Sequence, residues 1–448
     1  MFRSILALSA LPLLLAACGD GPHPTAEVPK ADSAAVDSNF QWQTDQFADA
    51  RILRYRIPGW EQLTLQQKQL AYYLTMAGLS GRDIIWDQNY RHNLKIRRAL
   101  EKVVGGYAGD KNAQEWQDFL LYAKQVFYHN GLHHHYSQDK VMPTFPRPWF
   151  EEAMKGVGAT LAPEVLDVMF DPTIDAKKVS LDESKDLVLA SAVNFYGDDI
   201  NKKEVDEFYK KLKVKGDTAP LSYGINSKLV RGADGKLVEQ VWKVGGMYGA
   251  ALSEMVKWLQ LAQGVAESPE QAHVIGLLIE FYTTGDLKKW DEFNIAWLKQ
   301  KSTAVDFIQG FVEVYNDPLG KRGSYESSIE IIDAEATKHM EVIQNNAQWF
   351  EDHSPIMDAH KKPKVVGITY GFVNVCGEAG DAAPSTAIGV NLPNADWIRD
   401  NYGSKSVSFG NIIDAYDKSS GGGALDEFCN DAEEIERAKK YGQLAGSL

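Results

Sequence analysis

Stretches rich in β-branched residues and glycine lie far apart in this chain, and a helical pattern separates them. Phe311 to Tyr315, Val365 to Val375 and Thr386 to Leu392 each read as extended backbone, whereas about Ala334 to Phe350 reads as helix. Strands this distant in sequence share hydrogen bonds only if the fold brings them together. The pattern therefore predicts one sheet or small barrel assembled from separate segments of an α+β chain.

The rest of the first half is predominantly helical. Thr64-Leu65-Gln66-Gln67 has the form of a capping box, and Leu70, Ala71, Leu74 and Ala77 follow at helical spacing before Gly78, which is expected to stop the helix. Tyr248, Leu252, Met255, Leu259 and Ala262 make one apolar helix face. A second helix opens at Ser268-Pro269, so the two are expected to pack as a helical hairpin. Ile225 to Arg231 and Lys236 to Lys243, joined by Gly232-Ala233-Asp234-Gly235, read as a β-hairpin.

Chemistry concentrates where the first of the distant strands ends. Glu313 and Tyr315 are two residues apart, so on extended backbone both project from one face, just before Asn316-Asp317-Pro318 and two glycines force a turn. A carboxylate that can hold an ammonium then stands beside a phenol that can donate to an oxyanion. An ordinary strand with two surface polar residues has the same spacing.

With 448 residues, 44 % hydrophobic and 24 % charged, the chain is long enough for two or three domains with a large core. A formal charge of −14 argues against nucleic acid as a partner, because phosphate binding relies on clustered Lys and Arg. The N-terminus carries Arg3, an apolar run from Ile5 to Ala17, and Leu15-Ala16-Ala17-Cys18-Gly19. This resembles a bacterial lipoprotein signal. It implies cleavage before Cys18, lipid on its sulfur, and a membrane-anchored protein of the bacterial cell envelope, periplasmic or surface-exposed. Residues 19–40 read as a flexible tether, and a plain secretory leader is the other reading. Cys376 and Cys429 are expected to be separate buried thiols. His133-His134-His135 reads as a polar loop, because three adjacent residues cannot all face one ion; no metal site is expected there.

Beyond these local patterns, the chain resembles the dipeptidyl peptidase III family of zinc exopeptidases. The resemblance runs through Phe119-Leu120-Leu121-Tyr122-Ala123, Asn130-Gly131, Lys140-Val141-Met142-Pro143, Gly246-Met247-Tyr248, Glu313 to Gly323, and Gly389-Val390-Asn391-Leu392-Pro393-Asn394. It covers most of residues 45 to 420. The family holds zinc with H-E-x-x-G-H and a later E-E-x-R-A motif, and none of the ten histidines here stands in such an arrangement.

The resemblance implies a mostly helical, two-lobed fold with a five-stranded barrel in the lower lobe. On that reading residues 41–333 form the lower lobe, 334–375 make an excursion into the upper lobe, 376–420 return to the lower lobe and its barrel, and 421–448 begin an upper, zinc-bearing lobe that is otherwise missing. The resemblance also implies that Tyr315 stabilises the tetrahedral intermediate. Glu313, Asn391 and Asn394 would hold the N-terminal ammonium of a short peptide, and Tyr136 would line the cleft. The chain is then expected to be the substrate-binding portion of a zinc peptidase that releases dipeptides, inactive by itself and binding no zinc. The alternative is a non-catalytic envelope lipoprotein that binds peptides.

Overall fold

Thr64 sets the first long helix. Its hydroxyl accepts from the Gln67 N–H at 3.3 Å, and the Gln67 side chain accepts from the Thr64 N–H at 2.8 Å, closing the capping box. The helix does not stop at Gly78. It continues to Ser80, because Gly78 faces the sheet: a Cβ there would fall 2.5 Å from Ser327 Oγ, so the glycine serves close packing and not termination.

The computed structural model describes residues 40–301, 303–365, 368–383, 385–419 and 431–437. Cys18, almost all of the tether, Cys429 and the glycine run at 421–423 lie outside the described residues. Trp42–Leu448 groups as one compact unit.

A short hairpin, β1 (Gln43–Phe47) and β2 (Ala50–Leu53), precedes helices α1 (Leu65–Ser80), α2 (Arg82–Asn89), α3 (Asn93–Gly106), α4 (Gln114–Tyr128), α5 (Arg147–Gly156), α6 (Pro163–Phe170) and α7 (Lys202–Lys210). The second hairpin, β3 (Ser227–Arg231) with β4 (Leu237–Val241), sits where the sequence places it. Helices α8 (Gly249–Gly264), α9 (Pro269–Thr284) and α10 (Leu287–Lys299) follow, and Ser268 caps α9 by accepting from the Gln271 N–H. Then come β5 (Val305–Glu313), β6 (Ser324–Ile332), α11 (Ala334–Asn345), α12 (Ala347–His353), β7 (Ile368–Gly380), β8 (Gly389–Leu392), α13 (Asp396–Tyr402), β9 (Ser404–Phe409) and α14 (Gly410–Ser419). The single helix expected over Ala334 to Phe350 is broken at Asn346, whose side chain donates back to the Val342 carbonyl at 2.7 Å.

The distant strands do form one sheet, in the order β5-β6-β7-β9-β8, with β7 and β9 parallel and the other neighbours antiparallel. It is an open sheet, which corrects the expected barrel. Closure would require β5 to pair with β8, but β8 is four residues long and ends against Pro393, which has no N–H to give a ladder. The two edges approach through a side chain instead: Asn394 Nδ2 donates to the Val312 carbonyl at 3.4 Å.

Eight successive residues of β5, Val305 to Val312, are buried, so both faces of this strand are covered. Its core joins α1, α8, α9 and α10 through Leu74, Leu252, Leu278, Trp290, Phe307 and Phe311, and a second core lies among α2 to α6. The strand that carries Glu313 to the surface is thereby anchored along its whole length.

Candidate functional site

Strand β5 ends at Glu313, and Tyr315 already belongs to the following turn. The two side chains nonetheless address the same carboxylate. Val312 and Val314 line a cavity of about 490 Å³ on one side, while on the other the Tyr315 hydroxyl donates to Asp381 Oδ2 and the Glu313 carboxylate feels the charge of Asp381. Tyr315 is 61 % exposed. Crowding of its hydroxyl end, and then the Asp381 charge, hold the phenol neutral well above the usual tyrosine range.

The turn itself is fixed from below. Asp317 is buried and accepts from the N–H groups of Leu319, Lys321 and Arg322 at 3.1, 2.8 and 2.9 Å, and from the Tyr196 hydroxyl at 2.9 Å. Arg322, fully buried, lies over the Tyr196 and Tyr209 rings with its carbon 4.3 and 4.9 Å from their centroids. Gly323 has no alternative, since a Cβ would stand 2.5 Å from the Phe311 carbonyl group. Asn316 completes the frame, donating to Ser324 Oγ at 2.9 Å and to Asp381 at 3.3 Å.

Asn394 reaches this group from the segment after β8, and its Nδ2 donates to Glu313 Oε1 at 3.2 Å. Burial first, and Asp381 as well, raise the Glu313 pKa, while the Asn394 bond opposes them. Glu326, on the next strand, is raised well above the glutamate range by burial and by Asp381 and Glu313. Three carboxylates thus share one region, and the Asp381 charge opposes the ionisation of Glu313 and Glu326. Such a place gains most from an added cation.

Of the residues singled out from sequence, Glu313, Tyr315 and Asn394 come together. Asn391 does not join them: its amide donates to Ser406 Oγ at 2.5 Å, and it lines a separate cavity of about 380 Å³ with Arg399 and Tyr370. Tyr136 stands 76 % exposed at a third cavity, beside His134 and His135. The sequence reading missed Asp381, which links Tyr315 and Asn316; its one local signal is its place directly after the glycine that ends β7. It also treated Asp317 as a turn residue only. Cys376 is half-buried, and burial pushes its thiol up to about 12, which suits a packing role.

The zinc site implied by the resemblance needs two imidazoles and a carboxylate. The side chains bonded to Glu313 and Tyr315 are amide and carboxylate groups, and this donor set does not fit it. Among the described residues, a group of three side chains within metal-holding distance occurs at His129, His134 and His135. The histidine run lies in a loop, where His133 turns away and its two neighbours meet His129.

An open sheet buried under helices thus carries a carboxylate, an amide and a phenol at one strand end. The description "Peptidase family M49" matches residues 193–442, more than half of the chain, and the protein belongs to that family. Among relatives, dipeptidyl peptidase 3 of Rattus norvegicus is 23 % identical over 331 residues, covering 67 % of this chain and 44 % of the relative. The Homo sapiens protein of the same name is 24 % identical over 337 residues, with the same coverage. That of Dictyostelium discoideum is 22 % identical over 384 residues, covering 79 % and 53 %. The chain spans about half the length of the curated relatives it matches. The solved structure of DPP III from Caldithrix abyssi superposes with a TM-score of 0.61 at 21 % identity, over 84 % of this chain and 61 % of that one. DPP III from a Corallococcus strain gives 0.58 at 18 %. These two likenesses are of fold.

Proposed function

We propose that this chain is the substrate-holding part of a dipeptidyl peptidase III-like enzyme, which grips the free N-terminus of a short peptide between Glu313 and Asn394. The observation that carries the proposal is the Asn394–Glu313 hydrogen bond at 3.2 Å, set beside the carboxylates of Asp381 and Glu326. An α-ammonium entering there relieves the repulsion among these acids and gains charge-assisted hydrogen bonds. An exopeptidase that measures a fixed distance from the N-terminus needs such a fixed point.

Tyr315 supplies the second element. Its phenol stays neutral and exposed, and on release from Asp381 it gives one directional hydrogen bond to a developing oxyanion. In an active enzyme, loss of a donor of this kind costs about 10²–10³ in turnover. Asn391 lies apart, so the grip rests on Glu313 and Asn394, and Tyr136 remains a candidate for contact further along the cleft. Zinc in the wider family would polarise the scissile carbonyl; the residues around Glu313 bind and orient.

The 448-residue chain is accordingly expected to bind short peptides and release no dipeptide. Incubation with a dipeptidyl-arylamide tests this, alongside a binding titration. Arylamine release that chelation abolishes overturns the inactive reading, and failure to bind peptides with a free N-terminus overturns the grip.

A further inference from the structure

Helix α4 closes on a left-handed residue that is not glycine. Asn130, with φ of 52°, follows the capping residue His129. The N–H groups of Asn130 and Gly131 return to the carbonyls of Phe127 and Val126 at 3.5 and 3.0 Å, and the chain reverses. Glycine is the usual residue at such a helix end, so the turn by itself does not call for an asparagine. The side chain serves another contact: its Nδ2 donates to the Gly380 carbonyl at 3.2 Å, 250 positions along the chain. The Asn130 carbonyl accepts from Asn89 Nδ2 at 3.2 Å and Asn93 Nδ2 at 3.4 Å, which ties the ends of α2 and α3 to the same residue.

Each of the three amides is oriented by a partner that can only give or only take a hydrogen bond. Lys178 Nζ donates to Asn89 Oδ1 at 3.4 Å, the Leu132 N–H donates to Asn93 Oδ1 at 3.1 Å, and the Gly380 carbonyl only accepts. Asn89, Asn93 and Lys178 are buried. What Asn130 holds in turn is one peptide plane, because the Gly380 carbonyl and the Asp381 N–H belong to the same rigid unit. The carbonyl takes the Asn130 amide, and the N–H donates to the Tyr325 carbonyl at 2.8 Å. A bond on each side keeps the plane from rotating, and so fixes the direction in which the Asp381 side chain leaves the backbone. Tyr325 is itself held from α2, where Gln88 Oε1 accepts its N–H at 2.8 Å.

We propose that Asn130 is a positioning residue, which fixes the Gly380–Asp381 peptide plane and thereby aims the Asp381 carboxylate at the Tyr315 hydroxyl. Asp381 Oδ2 accepts from that hydroxyl, and its Oδ1 from Asn316 Nδ2 at 3.3 Å, so the turn carrying Tyr315 takes its bearing from an asparagine on the far side of β7. Without the amide, the plane keeps only the bond to Tyr325 and can turn about it. The Asp381 carboxylate then loses its set direction, and the phenol its acceptor. The bearing of this on turnover rests on the reading of Tyr315 as an oxyanion donor; the positioning itself does not.

Asn130→Gly separates the two roles of this residue, because glycine suits the left-handed helix end and removes only the amide. The readout is nitration of Tyr315 by tetranitromethane at mildly alkaline pH, mapped by mass spectrometry on the full chain, with the exposed Tyr136 in the same sample as reference. Nitration proceeds through the phenolate, and the bond to Asp381 keeps Tyr315 a phenol, so Tyr315 reacts slowly in the parent. Asp381→Ala marks full release and is expected to raise the Tyr315 to Tyr136 ratio at least about tenfold. Asn130→Gly, checked for folding by circular dichroism, raises it at least about threefold. Labelling of Asn130→Gly equal to the parent, with Asp381→Ala raised, leaves Asn130 a turn residue and overturns the proposal. Unchanged labelling in both variants shows that Tyr315 does not depend on Asp381 and overturns it as well. Neither result depends on peptide binding, so this inference and the peptide grip fail separately.

Discussion

Asn394 Nδ2 donates to Glu313 Oε1 at 3.2 Å across 81 positions of sequence, tying the end of β5 to the segment that follows β8. The bond joins the two edges of an open sheet and partly offsets the rise that burial imposes on the Glu313 pKa. Because Glu313 is raised by burial and by Asp381, its negative charge is complete above that raised pKa and is lost as pH falls through it. Peptide affinity is therefore expected to fall on acidification, with its midpoint above the ordinary glutamate range. Asn394→Ala removes the one contribution that lowers the pKa, so the midpoint of this fall moves to higher pH. Binding titrations at several pH values check the shift, and an unmoved midpoint speaks against the coupling.

The turn that carries Tyr315 depends on a buried charge. Arg322→Ala leaves Asp317 without its cation and empties the space between Tyr196 and Tyr209. A loss of about 3–5 kcal/mol is expected in denaturant unfolding, with weaker peptide binding because the turn is no longer held.

Gly78→Ala sets two effects against each other. Helix propensity favours the alanine by about 1 kcal/mol, but its Cβ would stand 2.5 Å from Ser327 Oγ and 2.9 Å from Ser327 Cβ, at the contact of α1 with β6. Overpacking wins, and a net loss of about 1–3 kcal/mol is expected from chemical denaturation. A gain in stability would show that α1 can move off the sheet at little cost.

Cys18→Ser tests the leader reading. In a bacterial host the parent protein is expected in the membrane fraction, and the variant in the soluble envelope fraction. Identical fractionation of the two contradicts lipid attachment at Cys18.

Much of the fold follows from local signals. The capping box at Thr64, the Ser268-Pro269 helix start and the hairpin across Gly232 to Gly235 act within a few residues, and the structure keeps all three. Where the reading failed, a long-range contact decided. Gly78 has the look of a helix stop until Ser327 is placed against it, and the barrel that the resemblance implies gives way to an open sheet because β8 is too short to pair with β5. The candidate site divides in the same way. Glu313 and Tyr315 are legible because they are neighbours in sequence, and Asn394 through its motif. Asp381 is not, since only the pairing of β7 with β6 brings it to them. His129 likewise joins His134 and His135 through the reversal at Asn130 and Gly131, which no count of adjacent histidines reveals.

One calorimetric comparison addresses the grip for a free α-ammonium: a short peptide with a free N-terminus against its N-acetylated form, on the parent chain and on Glu313→Gln. The free peptide is expected to bind the parent at least about tenfold more tightly, a difference of about 1.4 kcal/mol, and to lose that advantage on Glu313→Gln. Equal binding of the two peptides by the parent, or an advantage that survives the substitution, would contradict it.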